Sequence, residues 1–234
     1  MSPRISVFLP SHNKGGFAVE AARSVLEQDF TDFELWIMEN STDDGRTRKL
    51  LRKYVDLDDP RVIYEEITVP EDIRDTKAPC PWLLNRYYPL ANGEIILYVS
   101  DDDLFVPGIF RAVVNHLDEH PEQDAVYFHL ARTTAKVPGE GKSWRERWAG
   151  IAADAIRGEN VVDCCIDGGQ IAYRKHVLEA IGQPYFYEGQ DAEAAHADGL
   201  HLKDVAALFP FHPLKVQGVI HRHTPVSTWT KSYD

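Results

Sequence analysis

Cysteine is scarce in this chain: three residues among 234 cannot build a disulfide framework, and Cys164 and Cys165 are adjacent, without the spacing of a zinc site. A reducing, cytoplasmic setting is the compartment to expect. Long apolar runs are missing too. Nothing approaches the ~18 residues of a membrane-spanning helix, and the chain enters a strand pattern at Ile5 with no apolar leader before it. Integral membrane association and export are therefore not expected. Positive charge is in deficit: 25 Lys and Arg stand against 37 Asp and Glu, a formal net charge of −12. A nucleic acid polymer or an anionic bilayer would be repelled, whereas a small phosphorylated ligand is admissible if a divalent cation bridges it to the protein. There is no internal repeat and no low-complexity tract. Hydrophobic residues at 44% and charged residues at 26% are ordinary for a globular chain, and this length supports one domain over residues 1–234 that buries roughly 70–75% of its unfolded surface.

What is present alternates strand and helix signals. Ile5 to Leu9 reads as a strand stopped by Pro10, and Phe17 to Gln28 as a helix with Val19, Ala22, Val25 and Leu26 on one face. Phe33 to Met38 is a second strand, closed by the turn-rich Asn40 to Gly45; a helical period over Thr47 to Val55 and a strand at Arg61 to Ile67 follow. Trp82 to Leu90 reads as a helix broken late by Pro89, and Ile95 to Val99 as a fourth strand. Units of this kind predict an α/β fold with a mostly parallel sheet covered on both faces. Ligands bind such sheets beyond the carboxyl ends of the strands, where the loops at Pro10–Lys14, Glu39–Gly45 and Ser100–Asp103 fall. The second half is less regular. It predicts helices over 106–119, 143–156, 175–181 and 200–208, a strand at 125–130, and a Gly168-Gly169 turn between short strands.

The most telling stretch is Ser100-Asp101-Asp102-Asp103, three carboxylates set directly after an apolar strand. Anions at the end of a buried strand are costly unless a cation meets them. Hard oxygen ligands suit Mg²⁺ or Mn²⁺, ions that keep room for waters and a substrate phosphate. The plainer alternative is an acidic loop capping the next helix.

Five segments together carry a resemblance: Val7-Phe8-Leu9-Pro10-Ser11-His12-Asn13, Ser24 to Phe30, Asp32 to Leu35, Glu39-Asn40-Ser41-Thr42-Asp43, and Gly93-Glu94 leading to Ser100–Asp103. This succession resembles the family 2 glycosyltransferases of GT-A fold, over nearly the whole chain. Phe209 to Leu214 is similar to a segment of a branch that serves bacterial spore-coat polysaccharide synthesis. The resemblance implies a Rossmann-like sheet with a smaller acceptor-side mixed sheet, residues 1–103 binding the nucleotide sugar and 104–234 the acceptor.

It also implies roles. Glu39 stands where a family Asp accepts a hydrogen bond from a pyrimidine imide N–H, and Pro10, Ser11, His12 and Asn13 line the nucleobase and ribose pocket. Asn85 matches a nucleotide-contacting position, with Arg74 or Lys77 meeting the diphosphate in place of the family's arginine. Asp101 touches ribose, while Asp102 and Asp103 ligate the metal, completed by His223 or by His221; a surface His-Arg-His run is the alternative. Asp167, Gly168 and Gly169 resemble the loop beneath donor sugar and acceptor, against a plain hairpin turn. Trp144, with Trp148 at i+4, could platform a sugar ring or pack a lid. Asp198 falls at the catalytic-base position, with Asp191, Glu188 and Glu193 as neighbours able to take that part.

The function expected is inverting, metal-dependent transfer of a sugar from a nucleoside diphosphate donor, UDP or dTDP favoured, to a hydroxyl of a saccharide or small metabolite. Mn²⁺ or Mg²⁺ is the expected cofactor, and a homodimer stays open. A nucleotidyltransferase would ordinarily carry a Gly-rich, basic loop after its first strand, where this chain has Ser11-His12-Asn13-Lys14-Gly15-Gly16. A non-catalytic nucleotide-sugar-binding module is the other alternative.

Overall fold

The structure is a computed structural model that describes residues 2–76, 79–139, 146–147, 166–186 and 197–225. Its first half follows the expected alternation. β1 (Ile5–Ser11) leads into α1 (Gly16–Leu26), β2 (Phe33–Glu39) into α2 (Arg46–Tyr54), and β3 (Val62–Glu66) into the helices α3 (Glu71–Thr76) and α4 (Pro79–Tyr87). A 3₁₀ turn at Tyr88–Leu90, with Pro89 inside it, ends α4 before β4 (Ile95–Tyr98).

Beyond β4 come β5 (Leu104–Phe105), α5 (Ile109–Glu119), β6 (Ala125–Thr134), β7 (Glu146–Arg147), β8 (Ile171–Arg174), α6 (His176–Ile181), α7 (Ala197–Leu208) and β9 (Phe211–His223). Two expectations fail here. Residues 106–108, read as the start of a helix, lead instead from a two-residue strand to α5. Glu146–Arg147, read as part of a helix, pairs as an antiparallel strand with Ala131 and Arg132 of β6; the rest of that helix lies outside the described residues. A partner strand fixes conformation in a way that local period cannot report.

All these strands form one mixed sheet in the order β3-β2-β1-β4-β8-β6-β9-β5, with β7 on β6. The β3-β2-β1-β4 block is parallel, whereas β8 is antiparallel to both β4 and β6, and β6 runs parallel to β9. Side chains alternate across it as a strand requires. Ile5, Val7 and Leu9 pack with Ala18, Ala22 and Val25 of α1, Leu51 of α2 and Val113 of α5. Phe8, Trp36 and Ile96 face the other way, against Leu83 and Leu84 of α4, Val177 of α6 and Leu202 and Val205 of α7. Two glycines permit close approach. A Cβ on Gly93 would come within 2.5 Å of the Ile5 carbonyl carbon, and one on Gly218 within 2.0 Å of the Phe128 ring. Gly93 thereby lets the chain enter β4 tight against β1, where the family-like Gly-Glu pair stands.

Register then places the site. Ser11 at the end of β1 is level with Glu39 at the end of β2, and Phe8 with Tyr98 at the end of β4. The loops that follow β1, β2 and β4 therefore emerge from one edge. Among the described residues no helix is long and apolar enough to cross a membrane.

Candidate active site

The three loops are tied to each other by side chains. Asn13 adopts a left-handed backbone, φ 58°, which asparagine tolerates better than most residues. Its N–H donates to Ser41 Oγ at 2.8 Å, and its side-chain carbonyl accepts from Thr42 N at 2.8 Å. The His12 ring lies at the junction: Nδ1 is 3.1 Å from Asn40 O and 3.3 Å from Arg74 Nη1, and Nε2 is 3.0 Å from Asn13 Nδ2. Arg74 also donates to Asn40 O at 3.2 Å, which brings one expected diphosphate cation onto this edge. Ser11 Oγ and Asn40 Oδ1 are buried here with no hydrogen-bond partner among the described residues.

Glu39 is fully buried. One carboxylate oxygen accepts from Ser41 N at 2.7 Å and the other from Arg48 Nε of α2; this pairing raises the arginine's pKa against the opposing effect of burial. The resemblance implies base recognition for Glu39 but gives no sign that Arg48, nine residues on, shares its carboxylate. The signal lay in the spacing from strand end to first helical turn, which only the fold converts into distance.

The Asp triplet is buried throughout, with Asp101 6%, Asp102 4% and Asp103 1% exposed. Asp101 and Asp102 share Lys14, and each carboxylate of the triplet has further partners of its own. Asp101 Oδ2 accepts from His12 N at 2.6 Å, and burial pushes its pKa up to about 8 against the pull of Lys14. Asp102 accepts from Lys14 Nζ at 2.7 Å, Ser100 Oγ at 3.1 Å and Thr224 Oγ1 at 3.2 Å. Asp103 accepts from Arg222 N at 3.0 Å, and its other oxygen lies 3.1 Å from His221 Nδ1. Burial works against a charge on His221, but Asp103, reinforced by Asp167 and Asp102, outweighs it and raises the imidazole to about 9. His221, then, is the histidine that meets the triplet directly. His223 stacks edge-on against it, ring centroids 5.1 Å apart, and is pushed down by burial and by that neighbour.

Arg222, between them on the opposite face of β9, is fully buried. It donates to the carbonyl of Asp102 and to Glu20 Oε2 of α1, and lies over the Phe17 ring. Asp167 caps the 3₁₀ turn Gly168–Gln170 by accepting from Gly169 N at 2.8 Å, while Gln170 Oε1 accepts from Asp167 N at 2.9 Å. Gln170 also holds Phe128 O of β6 at 2.9 Å, so this glycine turn is pinned next to β4 and β9. Asn85 faces elsewhere: its amide exchanges two hydrogen bonds with the backbone of Phe186, each 2.8 Å, which fastens α4 to the 185–186 loop. Asp198 is the second residue of α7, with its side chain outside the described residues. Lys77, Trp144 and Asp191 also lie outside them.

Among the described residues no three His, Cys, Asp or Glu side chains are grouped to hold a metal ion. The chemistry of the donors nevertheless suits one: Asp102 offers hard carboxylate oxygen and already accepts a cation, the Lys14 ammonium.

Residues 6–72 match the Glycosyl transferase family 2 model. Protein CgeD of Bacillus subtilis is 26% identical over 216 residues, covering 92% of this chain and 49% of that protein. The putative colanic acid biosynthesis glycosyl transferase WcaA of Escherichia coli is 32% identical over 116 residues, covering 49% of this chain and 38% of that protein. The chain thus spans half or less of the length of these relatives. S. aureus TarS in complex with UDP-GlcNAc superposes with a TM-score of 0.65 at 20% identity, over 99% of this chain and 62% of that one. The mannosyltransferase PcManGT of Pyrobaculum calidifontis, in complex with GDP-Man and Mn²⁺, gives 0.63 at 18% identity, over 99% and 60%. The fold is that of the GT-A glycosyltransferases, and the family 2 resemblance holds at the level of sequence.

Proposed function

We propose that this chain is an inverting glycosyltransferase, dependent on Mn²⁺ or Mg²⁺, that moves a sugar from a UDP- or dTDP-sugar to a hydroxyl of a saccharide or small metabolite. The observation that carries the reading is the convergence of Glu39, His12 and the Asp101–Asp103 triplet at one sheet edge. The complexes of TarS with UDP-GlcNAc and of PcManGT with GDP-Man and Mn²⁺ support it.

In this reading residues 1–103 hold the donor and 104–234 the acceptor, within a single domain. Glu39 accepts from the imide N–H of the base, Pro10, Ser11, His12 and Asn13 flank base and ribose, and Asp101 meets ribose. Arg74, with Lys77, meets the diphosphate. Asn85 acts indirectly, through the loop that its amide fastens. Asp102 and Asp103, with His221 or His223 beside them, hold the metal. When bound, that cation stabilises the negative charge that develops on the leaving diphosphate. Asp167, Gly168 and Gly169 form the floor under the sugar, and Trp144 gives it an apolar face. Asp198, or Asp191 in its stead, accepts the proton of the acceptor hydroxyl while that oxygen bonds to the anomeric carbon and the bond to diphosphate breaks on the opposite face.

The test is a thermal-shift series with UDP-, dTDP- and GDP-sugars, with and without Mn²⁺, followed by product analysis. A ligand at a hundred times its dissociation constant adds about 2.7 kcal/mol, a rise of about 5–10 °C for a chain of this size. Release of a nucleoside diphosphate with a new glycoside is expected. Pyrophosphate release from a nucleoside triphosphate and a sugar phosphate, supplied in a parallel reaction, would point to nucleotidyl transfer, and binding with neither product to a non-catalytic module.

A further inference from the structure

Lys14 is placed by the fold as a cation for the carboxylate that the metal would use. Its ammonium is 2.7 Å from Asp102 Oδ2 and 4.0 Å from Asp101 Oδ1, with 9% of its side chain exposed and 6% of that of Asp102. The backbone on either side is anchored. Asn13 is hydrogen-bonded to Ser41 and Thr42, and Gly15 N donates to Thr47 Oγ1 at 2.9 Å. Both flanking residues have positive φ, 58° and 55°. The four-carbon stem of lysine, by contrast, is flexible. Its ammonium can therefore change partner while the loop that presents it stays still.

From this placement we infer that Lys14 and a divalent cation are alternative occupants of Asp102. Lys14 is the counterion of the donor-free protein. A divalent ion that binds Asp102 repels the ammonium at this short range, and the ammonium is handed to the diphosphate that arrives with the metal at the same edge. Asp103 does not offer Lys14 an equivalent berth, since it already bonds His221 and the Arg222 N–H. The exchange keeps the buried carboxylate paired in both states, which avoids the cost of leaving it uncompensated. The hand-over to diphosphate rests on the nucleotide-sugar reading, whereas the competition rests only on the proposed place of Asp102 as a metal ligand.

Lys14→Met and Lys14→Gln separate the two parts. Mn²⁺ affinity without nucleotide, followed by electron paramagnetic resonance, is expected to rise about tenfold or more in both variants as the competing cation is lost. UDP affinity at saturating Mn²⁺, measured by calorimetry, is expected to fall about 10–100-fold, the scale of one charge-assisted hydrogen bond. Mn²⁺ affinity that is unchanged, weaker or undetectable in both variants overturns the competition. Gained Mn²⁺ affinity with wild-type UDP affinity overturns the hand-over alone. If UDP fails to bind even the wild-type protein while the variants gain Mn²⁺ affinity, the donor reading falls and the competition stands.

Discussion

Arg222 and Glu20 are 202 positions apart in sequence, yet Arg222 Nη1 lies 2.5 Å from Glu20 Oε2, inside the layer between α1 and β9. The same guanidinium bonds the Asp102 carbonyl, and the Arg222 N–H bonds Asp103. One buried side chain thus fixes the backbone of the acidic triplet to the helix that follows β1.

Arg222→Met should consequently destabilise the protein by about 3–5 kcal/mol, because the largely buried Glu20 carboxylate and the Asp102 carbonyl both lose the guanidinium that donates to them. Denaturant titration measures this. In a double-mutant cycle with Glu20→Gln the second substitution should recover part of the loss. Strict additivity would show that the two residues do not act as a pair.

Asp102→Ala should abolish the metal-dependent part of donor binding, since a protein of net charge −12 presents carboxylates to an anionic diphosphate. Calorimetry with UDP, with Mn²⁺ or with excess chelator, reads the effect. Wild-type affinity undiminished in chelator would remove the metal from the proposal.

Uridine and thymidine diphosphates should bind more tightly than guanosine or adenosine diphosphates, because Glu39 stands at the end of β2 as a buried acceptor. Glu39→Gln turns an amide donor toward either Arg48 Nε or Ser41 N, both donors, and should cost about 1–3 kcal/mol of stability besides the loss of base preference. A purine diphosphate preferred by the wild-type protein would refute the assignment.

Asp198→Asn should slow glycosyl transfer roughly 10²–10⁴-fold, about 3–5 kcal/mol of barrier, with donor affinity near wild type. Asp198 is the second residue of α7. Near-normal turnover in this variant, with loss in Asp191→Asn, would move the base to Asp191.

His201 gives the fold a pH dependence of its own. It is buried between Tyr185 O, 2.8 Å from Nδ1, and the Tyr173 hydroxyl, 3.2 Å from Nε2, and burial pushes its pKa down to about 4 from 6.5. Between these values the unfolded chain binds the proton and the folded one does not. The stability contributed is therefore whole above pH 6.5 and drains away as pH falls toward 4, by roughly 3 kcal/mol in all. Denaturant midpoints at pH 7 and 4.5 should differ by less in His201→Gln than in wild type. Equal differences would show that His201 is not the group responsible.

The order of strand and helix signals was enough to give the α/β class and to bring the loops that follow Pro10, Glu39 and Val99 to one edge of the sheet. Apolar runs such as Ile5 to Leu9 and Ile95 to Val99 become buried strands for reasons of composition alone, and the loops after them must emerge together once the strands lie parallel. Local pattern also exposed the Asp triplet, because charge beside an apolar strand stands out in one dimension. It could not reveal partners. Arg222 reads as the middle of a polar His-Arg-His run, yet strand alternation turns it into the core while His221 turns to Asp103. Lys14 and Arg48 are ordinary surface types whose carboxylate partners Asp102 and Glu39 are supplied by loop closure and helix position. Burial and long-range pairing decide which charges meet, and these depend on how strands 90 or more residues apart are brought side by side, as β1 and β4 are.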